Sequence, residues 1–460
     1  MSMAEVDTTA GPVLGTRVPD DAELDTLRSW VPSQRWFPEK GTDAALDRVA
    51  VVDLPDPLDE AAVRVHLLAL PSGAVLQVPT VRRAATGEDA GPAARPGVIA
   101  PLPGGVLVDG PHDPAFVRAW LAAAHDDGAA PTRTGVTKVV EGEQSNTSVL
   151  LPGADRPAIL KVFRVVTLGP NPDVEVPLAL ARAGWAGVPR PLAWLPGGWE
   201  RGDGSAAVGH LGVLSELVQG ARDGFELACD HARAGTSFGD LAEDLGRTTA
   251  QMHRALRTAI PVAGTGHAHA PRNETERHTE VRRVVRTLRE RAEAAAARVP
   301  EVAARAEAVH AAYDRLEALA SVPPLQRVHG DYHLGQVLRS TDGDGGRWYV
   351  LDFEGEPQAS ADEKTRPDLA LRDLAGMLRS LDYAAAVGEA RDPAWLGDAR
   401  DRLIAGYEHE TGGAAVGLEV LLPALELDKA LYEVVYESGN RPDWLPIPLA
   451  GVDRLLGHAR

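Results

Sequence analysis

The stretch Arg327-Val328-His329-Gly330-Asp331-Tyr332-His333-Leu334-Gly335-Gln336, followed sixteen residues later by Asp352-Phe353-Glu354, governs how this chain is read. An acid, an amide five residues on, and a second acid after the β-rich run Trp348-Tyr349-Val350-Leu351 make the donor set of a phosphoryl-transfer site. That chemistry needs a base to orient a hydroxyl and oxygen ligands to hold Mg²⁺. Mg²⁺ keeps several waters and takes only one or two carboxylates. Asp331 therefore reads as the base, and Asp352 and the amide oxygen of Gln336 as metal ligands. Either motif alone also suits a plain turn or a polar strand end. The two in order argue for the site.

The spacing resembles that of protein kinases, whose catalytic loop reads H-R-D-x-x-x-x-N and whose metal-binding segment reads D-F-G. The rest of the pattern agrees with a bilobal layout. Alternating runs at Arg48–Val52, Val63–Leu68 and Ala74–Val78 predict antiparallel strands, and Asp113–Leu121 predicts a capped helix. Strand patterns resume at Lys138–Val140, Ser148–Leu151, Ala158–Phe163 and Leu211–Val218, with a helix over Val174–Ala183. Helical periodicity dominates from Asp240 to Leu256 and from Glu280 to Leu319, then from Leu371 to Leu381 and from Leu418 to Tyr436. The expected class is α+β: a bilobal protein-kinase-like fold with an additional N-terminal β-rich cap domain. The expected divisions are a disordered N-terminus (1–20), the cap (21–133), a small β-rich nucleotide lobe (134–220) and a helical lobe (221–460).

Bulk composition narrows the function. The 460 residues carry 47 basic and 66 acidic side chains, 47 − 66 = −19. That balance argues against nucleic acid or an anionic membrane as the partner. It suits a small-molecule enzyme and attracts a cationic substrate. The single cysteine, Cys229, excludes an internal disulfide and a cysteine metal site. No basic region leading into an apolar run opens the chain, and no stretch approaches the ~18 apolar residues of a membrane span. The expected location is the cytoplasm. Nothing assigns an oligomeric state, and a monomer suffices.

A bilobal kinase needs a lysine on a strand of the small lobe to reach the ATP phosphates. Lys161 interrupts the apolar strand Ala158-Ile159-Leu160 and fits that place. Glu175, fourteen residues on, is the candidate partner in the next helix, with Asp173 as competitor. Between two strands, Val140–Val149 sits where a phosphate-covering loop belongs. Ser145, Asn146 and Thr147 offer hydroxyl, amide and backbone donors, although a plain hairpin turn explains the loop as well. Adenine would rest near Ser215-Glu216-Leu217-Val218.

These blocks together resemble the aminoglycoside-phosphotransferase-like kinases, and most of all the actinobacterial maltokinases and glucosamine kinases. The resemblance is carried by His329-Gly330-Asp331-x-His333-x-x-Gln336, by Asp352-Phe353-Glu354-Gly355-Glu356-Pro357 and by Gly142–Ser148. It extends through Leu160–Arg164, Asn171–Glu175, Leu371–Ser380, Leu427–Glu433 and Asn440–Pro448. It implies an ATP- and Mg²⁺-dependent kinase acting on a free sugar. It also supports Asp331 as base, Gln336 and Asp352 on the metal, Lys161 on the phosphates, and the Gly142–Ser148 loop over them. Departures from the maltokinase pattern favour D-glucosamine, giving glucosamine 6-phosphate. They are Arg35-Trp36-Phe37-Pro38-Glu39-Lys40-Gly41 in the cap, a shorter cap, an abbreviated segment between Tyr383 and Tyr407, and Tyr332 beside the base. The amine of glucosamine is largely protonated at neutral pH and calls for carboxylates and an aromatic wall. Glu433, Tyr436, Glu437, Asn440 and Trp444 supply both, with His333 beside the base. Glu433 and Glu437 share a helix face, and Gly439 and Pro442 are expected to end that helix. The alternatives are a maltokinase making maltose 1-phosphate, an aminoglycoside phosphotransferase and a non-catalytic pseudokinase.

Overall fold

Apolar and polar residues alternate in Val63-Arg64-Val65-His66-Leu67, and the segment becomes one strand of a twisted antiparallel sheet. The computed structural model describes residues 11–40, 45–85, 96–140, 145–262, 273–341, 346–355, 364–413 and 418–457. The chain divides into two compact units, Met1–Leu178 with Pro189–Leu217, and Ala179–Val188 with Val218–Arg460. Both mixed-sheet and helical content match the α+β class.

In chain order the first unit runs through β1 (Val13–Leu14), α1 (Ala22–Trp30), β2 (Asp47–Leu54), β3 (Ala62–Ala69), β4 (Val75–Arg83), β5 (Val98–Leu102) and β6 (Gly105–Asp109). It continues with α2 (Pro114–Ala123), β7 (His125–Asp126), β8 (Lys138–Val139), β9 (Thr147–Leu151), β10 (Ala158–Val162), β11 (Val165–Val166), the start of α3 (Pro172–Arg182), β12 (Pro191–Glu200) and β13 (Ala206–Glu216). One sheet has the order β2-β3-β4-β6-β5, with β11 joining β4. The other has the order β1-β12-β13-β10-β9-β8, with β7 on β12. Part of the segment expected to be disordered thus forms a strand: Val13 and Leu14 pair in parallel with Gly197 and Gly198. Asp113 caps α2 by accepting the Ala115 N–H at 3.0 Å. The helix buries Phe116 and Trp120 completely among strand residues of both sheets.

The second unit holds β14 (Arg222–Asp223), α4 (Gly224–Ala234), α5 (Gly239–Ala259), α6 (Glu274–Arg298), α7 (Pro300–Ala303), α8 (Ala306–Asp314), β15 (Val337–Ser340) and β16 (Arg347–Val350). Then come α9 (Leu371–Val387), α10 (Ala394–Thr411), α11 (Leu421–Asn440) and α12 (Pro446–Leu455). The helical pattern over Glu280–Leu319 is broken rather than continuous. Pro300 has no N–H to give a helix interior and opens a new one instead. Gly439 lies inside α11, which runs to Asn440, so only the approach to Pro442 ends that helix.

Two glycines let α5 and α10 pack at backbone distance. A Cβ on Gly246 would lie 2.0 Å from Leu403 O, and one on Gly406 would lie 2.0 Å from Glu243 O. This crossing matters to the site, because α5 carries His253 and α10 carries Tyr407. We expect Gly246→Ala to force the helices apart and to destabilise the protein by about 2 kcal/mol. Urea denaturation checks this through a lowered midpoint at unchanged slope.

Candidate active site

The β15–β16 hairpin explains the sixteen-residue spacing. Val337 pairs with Val350, and Leu351 N–H donates to Gln336 O at 2.9 Å. Gln336 enters the hairpin where Asp352 leaves it, and Gln336 Nε2 donates to Asp352 Oδ2 at 3.2 Å. An amide oxygen and a carboxylate then stand side by side as hard donors. That pairing fits Mg²⁺. Asp352 has φ +59°, a left-handed conformation costing a non-glycine residue about 1–2 kcal/mol. Among the described non-glycine residues only Asp59 and Glu389 share it. Such strain gathers at functional positions.

Asp331 sits in a loop held from below by one buried carboxylate. Asp373 of α9 accepts the His329 N–H at 2.8 Å on Oδ2 and the Gly330 N–H at 3.0 Å on Oδ1. His253 Nε2 meets the same Oδ2 at 3.1 Å, and its Nδ1 meets the Tyr407 hydroxyl at 3.0 Å. Burial works to raise the Asp373 carboxyl, yet the hydrogen bond and charge of His253, with the Gly330 N–H, hold it below its ordinary value. Gly330 has φ +90°, and a Cβ there would sit 3.3 Å from Gly355 Cα, so no other residue fits comfortably. His329 links the two motifs: Nε2–H donates to Leu351 O at 2.7 Å, and Nδ1 accepts the Asp331 N–H at 3.3 Å. Its ring also lies 4.8 Å from that of Phe353.

Two cationic or titratable groups face Asp331. Lys429 Nζ of α11 stands 3.8 Å from Oδ1. His333 Nε2 stands 4.0 Å from Oδ2, and His333 Nδ1 accepts the Gly335 N–H at 3.1 Å. Burial lowers the His333 pKa, with Asp331 opposing. Tyr332, read as a departure bearing on substrate, is a core residue whose hydroxyl meets Thr249 Oγ1 at 3.1 Å.

In the first unit, Lys161 pairs with Asp173 and not with Glu175. The helix starts at Pro172, so Asp173 lies in its first turn, where Asn171 Oδ1 accepts the Asp173 N–H at 2.8 Å. Two residues further turn the helix ~200° and leave Glu175 exposed. The expected phosphate donors also need correction. Thr147 Oγ1 accepts from Arg164 Nε at 2.8 Å, and Asn146 Oδ1 accepts the Arg164 N–H at 3.3 Å. Both side chains are buried and committed to Arg164, leaving Ser145 as the exposed one of the three. Gly142 lies outside the described residues. The Glu216 and Leu217 N–H groups, expected near adenine, donate to Arg190 O and Pro157 O at 2.9 and 3.1 Å. Ser215 pairs with Ile159 and Pro191 in the sheet, and Val218 opens the second unit.

The cap reaches the same loop from both sides. Arg35 Nη2 donates to Val140 O at 3.1 Å. Arg164, fully buried, is held by Asp109 through bonds of 3.0 and 2.6 Å and stacks 4.5 Å over Trp36. Removing the partner of such a buried ion costs about 3–5 kcal/mol.

On the sugar side, the acids expected to be free are already paired. Glu433 accepts from the buried Arg379 Nε at 2.8 Å, and burial raises its carboxyl although Arg379 opposes this. Glu437 accepts from the Tyr383 hydroxyl at 3.1 Å and from Arg441 Nε and Nη2 at 2.9 and 2.7 Å. Arg441 lies 5.5 Å over Tyr436 and 4.5 Å over Trp444, forming an aromatic–guanidinium stack. Asn440 Nδ2 donates to Tyr436 O at 2.8 Å and serves the helix end. Sequence reasoning gave no role to Asp373, Arg379 or Lys429. All three lie in blocks that carried the resemblance, which was the available signal.

Residues 136–412 match the phosphotransferase enzyme family, and residues 30–113 match the maltokinase N-terminal cap domain. The chain belongs to the phosphotransferase enzyme family. A member from Streptacidiphilus jiangxiensis, a glucosamine kinase, is 31% identical over 360 residues, covering 72% of this chain and 75% of that one. A glucosamine kinase from Mycolicibacterium smegmatis is 30% identical over 329 residues, covering 68% and 78%. A solved glucosamine kinase in complex with glucosamine, ADP and inorganic phosphate superposes with a TM-score of 0.63 at 25% identity, covering 93% of this chain and 99% of that one. This phosphotransferase has no described helix long and apolar enough to cross a membrane.

Replacing Asp373 tests the loop anchor. Asp373→Asn leaves a neutral acceptor and a mismatched His253, and should lose about 2–3 kcal/mol of stability and about 10²-fold in kcat. The folded carboxyl lies below its ordinary 3.8, so its contribution is present above that value and fades as pH falls through the folded pKa. The stability gap between wild type and variant should therefore narrow below about pH 4, as followed by denaturation at stepped pH.

Proposed function

We propose that this phosphotransferase is a glucosamine kinase, transferring the ATP γ-phosphate to the 6-hydroxyl of D-glucosamine. The observation that carries the reading is likeness at 30–31% identity to two glucosamine kinases, each covered over three quarters of its length or more. The donor set of Asp331, Gln336 and Asp352 supports it. Bound Mg²⁺ would neutralise charge on the phosphates. Asp331 accepts the proton of the sugar hydroxyl and orients it in line with the phosphorus. Lys161 would attract the nucleotide phosphates, and Gln336 and Asp352 would hold the ion. On the sugar side Glu433 and Glu437 are paired with Arg379 and Arg441, and Arg441 covers Tyr436 and Trp444, so an ammonium reaches Glu437 and the two rings by displacing Arg441. The cytoplasm suits an enzyme that consumes ATP.

A second reading, maltose to maltose 1-phosphate, draws on the maltokinase cap match over residues 30–113. Purified protein with Mg²⁺ and ATP, offered glucosamine, glucose, maltose and an aminoglycoside separately, distinguishes them by ³¹P NMR of the products. A 6-phosphomonoester of glucosamine is expected, and an anomeric phosphate on maltose would overturn the reading. Asp331→Asn should lower kcat by about 10²–10⁴-fold while the denaturation midpoint stays within error. Near-wild-type turnover would remove Asp331 as the base.

A further inference from the structure

The second unit contains a cavity of about 510 Å³ beside the catalytic loop, reached by α6, α9 and α11. Its charge is opposite to that of the chain. Among the described residues, Arg291, Arg298, Lys364, Arg366, Arg372 and Lys429 line it, against three acids, Asp368, Asp373 and Asp428. The acids are all spoken for. Asp428 accepts from Arg291 and Arg372 at 2.9 and 2.7 Å, Asp368 lies 2.9 Å from Arg372, and Asp373 holds the catalytic loop. Arg298, Lys364 and Arg366 have no ion-pair partner among the described residues. Among the described residues, a surplus of 6 − 3 = 3 positive charges therefore converges here, in a chain of net charge −19. Concave basic surfaces of this size concentrate small anions.

The cavity is built rather than incidental. Arg327, just before the catalytic loop, donates from Nη1 to Lys364 O at 2.8 Å and so fixes the backbone under one of the cations. Tyr432 gives an aromatic wall, with Lys429 4.8 Å from its ring. On α11, Asp428, Tyr432 and Val435 face the cavity, whereas Glu433, Glu437 and Asn440 fall on a different face of the helix. The cavity therefore faces away from those three residues and adjoins the sugar side through Lys429, which lines it and acts on the Glu433 carboxyl.

We propose that this cavity binds a phosphomonoester-type anion, gripped by Arg298, Lys364 and Arg366, and that its occupancy lowers kinase turnover. The inhibitory part rests on the kinase reading, and the binding part does not. Gly330 and Tyr332, on either side of Asp331, line the cavity, and Lys429 joins it to Asp331 Oδ1 at 3.8 Å. An anion here adds negative charge beside the base and competes for Lys429. Both effects oppose the approach of a transferring phosphoryl group.

Calorimetric titration tests binding, with inorganic phosphate and glucose 6-phosphate as separate probes. Mg²⁺ and a non-hydrolysable ATP analogue are present at saturation, so that the nucleotide site is filled. Millimolar saturable binding is expected, weakened about tenfold or more in the double variant Arg298→Ala/Arg366→Ala. Both residues are exposed, so this variant should fold, and its turnover without added anion should match wild type. Tighter binding of the sugar phosphate than of phosphate assigns the site to the ester, and equal binding assigns it to free phosphate. Equal affinity of variant and wild type, or no saturable binding at millimolar probe, overturns the site. Binding without loss of turnover overturns the regulatory part alone. Failure of all sugar phosphorylation would instead count against the kinase reading, and would leave the titration standing.

Discussion

One buried carboxylate sets the geometry on which the site depends. Asp373 accepts two consecutive backbone N–H groups from the catalytic loop and a third bond from His253. A loop of this length has many ways to satisfy two N–H groups, and an ionised acceptor in a dry interior leaves only one of them cheap. Asp331 is thereby aimed without touching the residue that aims it. The close crossing of α5 and α10 belongs to the same arrangement, because it brings Tyr407 to the far nitrogen of His253.

The hairpin is the second constraint. A pair of antiparallel strands converts a separation of sixteen residues into adjacency, so Gln336 and Asp352 meet whatever the composition of the turn between them. His329 then ties the loop of Asp331 to the strand end before Asp352 through Leu351 O. Asp331, Gln336 and Asp352 thus belong to one hydrogen-bonded assembly in the second unit, held by the side chains of Asp373, His329 and Gln336.

Much of this was legible in the residues. The acid–amide–acid spacing and the strand before Asp352 carry local information, and local patterns survive folding. Helices α2, α5 and α9 announced themselves through caps and periodicity. What was missed depended on long-range partners. Nothing local distinguishes Asp173 from Glu175, since the choice turns on where α3 begins. Thr147 and Asn146 read as loop donors because their partner, Arg164, becomes buried only when Asp109 arrives from a distant strand. Glu433 and Glu437 read as free acids because Arg379, Tyr383 and Arg441 reach them only through helix packing and a helix end. Tyr332 looked like a substrate determinant because burial cannot be seen from a neighbour in sequence.

The joint between cap and nucleotide lobe carries a consequence for how such a chain can evolve. Strand β11 of the nucleotide lobe completes the cap sheet, and Gln77 of the cap donates to Phe163 O and Leu211 O at 2.7 Å each. Arg164 is fully buried with a cap aspartate as its counter-ion. A recombination break anywhere between α2 and β8 would part that guanidinium from Asp109 and open a sheet edge at the same moment. The cap and the strands it joins accordingly fall in one compact unit. A cap exchanged for another would have to keep Asp109, Gln77 and Trp36 in place to meet Arg164 and the carbonyls of Phe163 and Leu211.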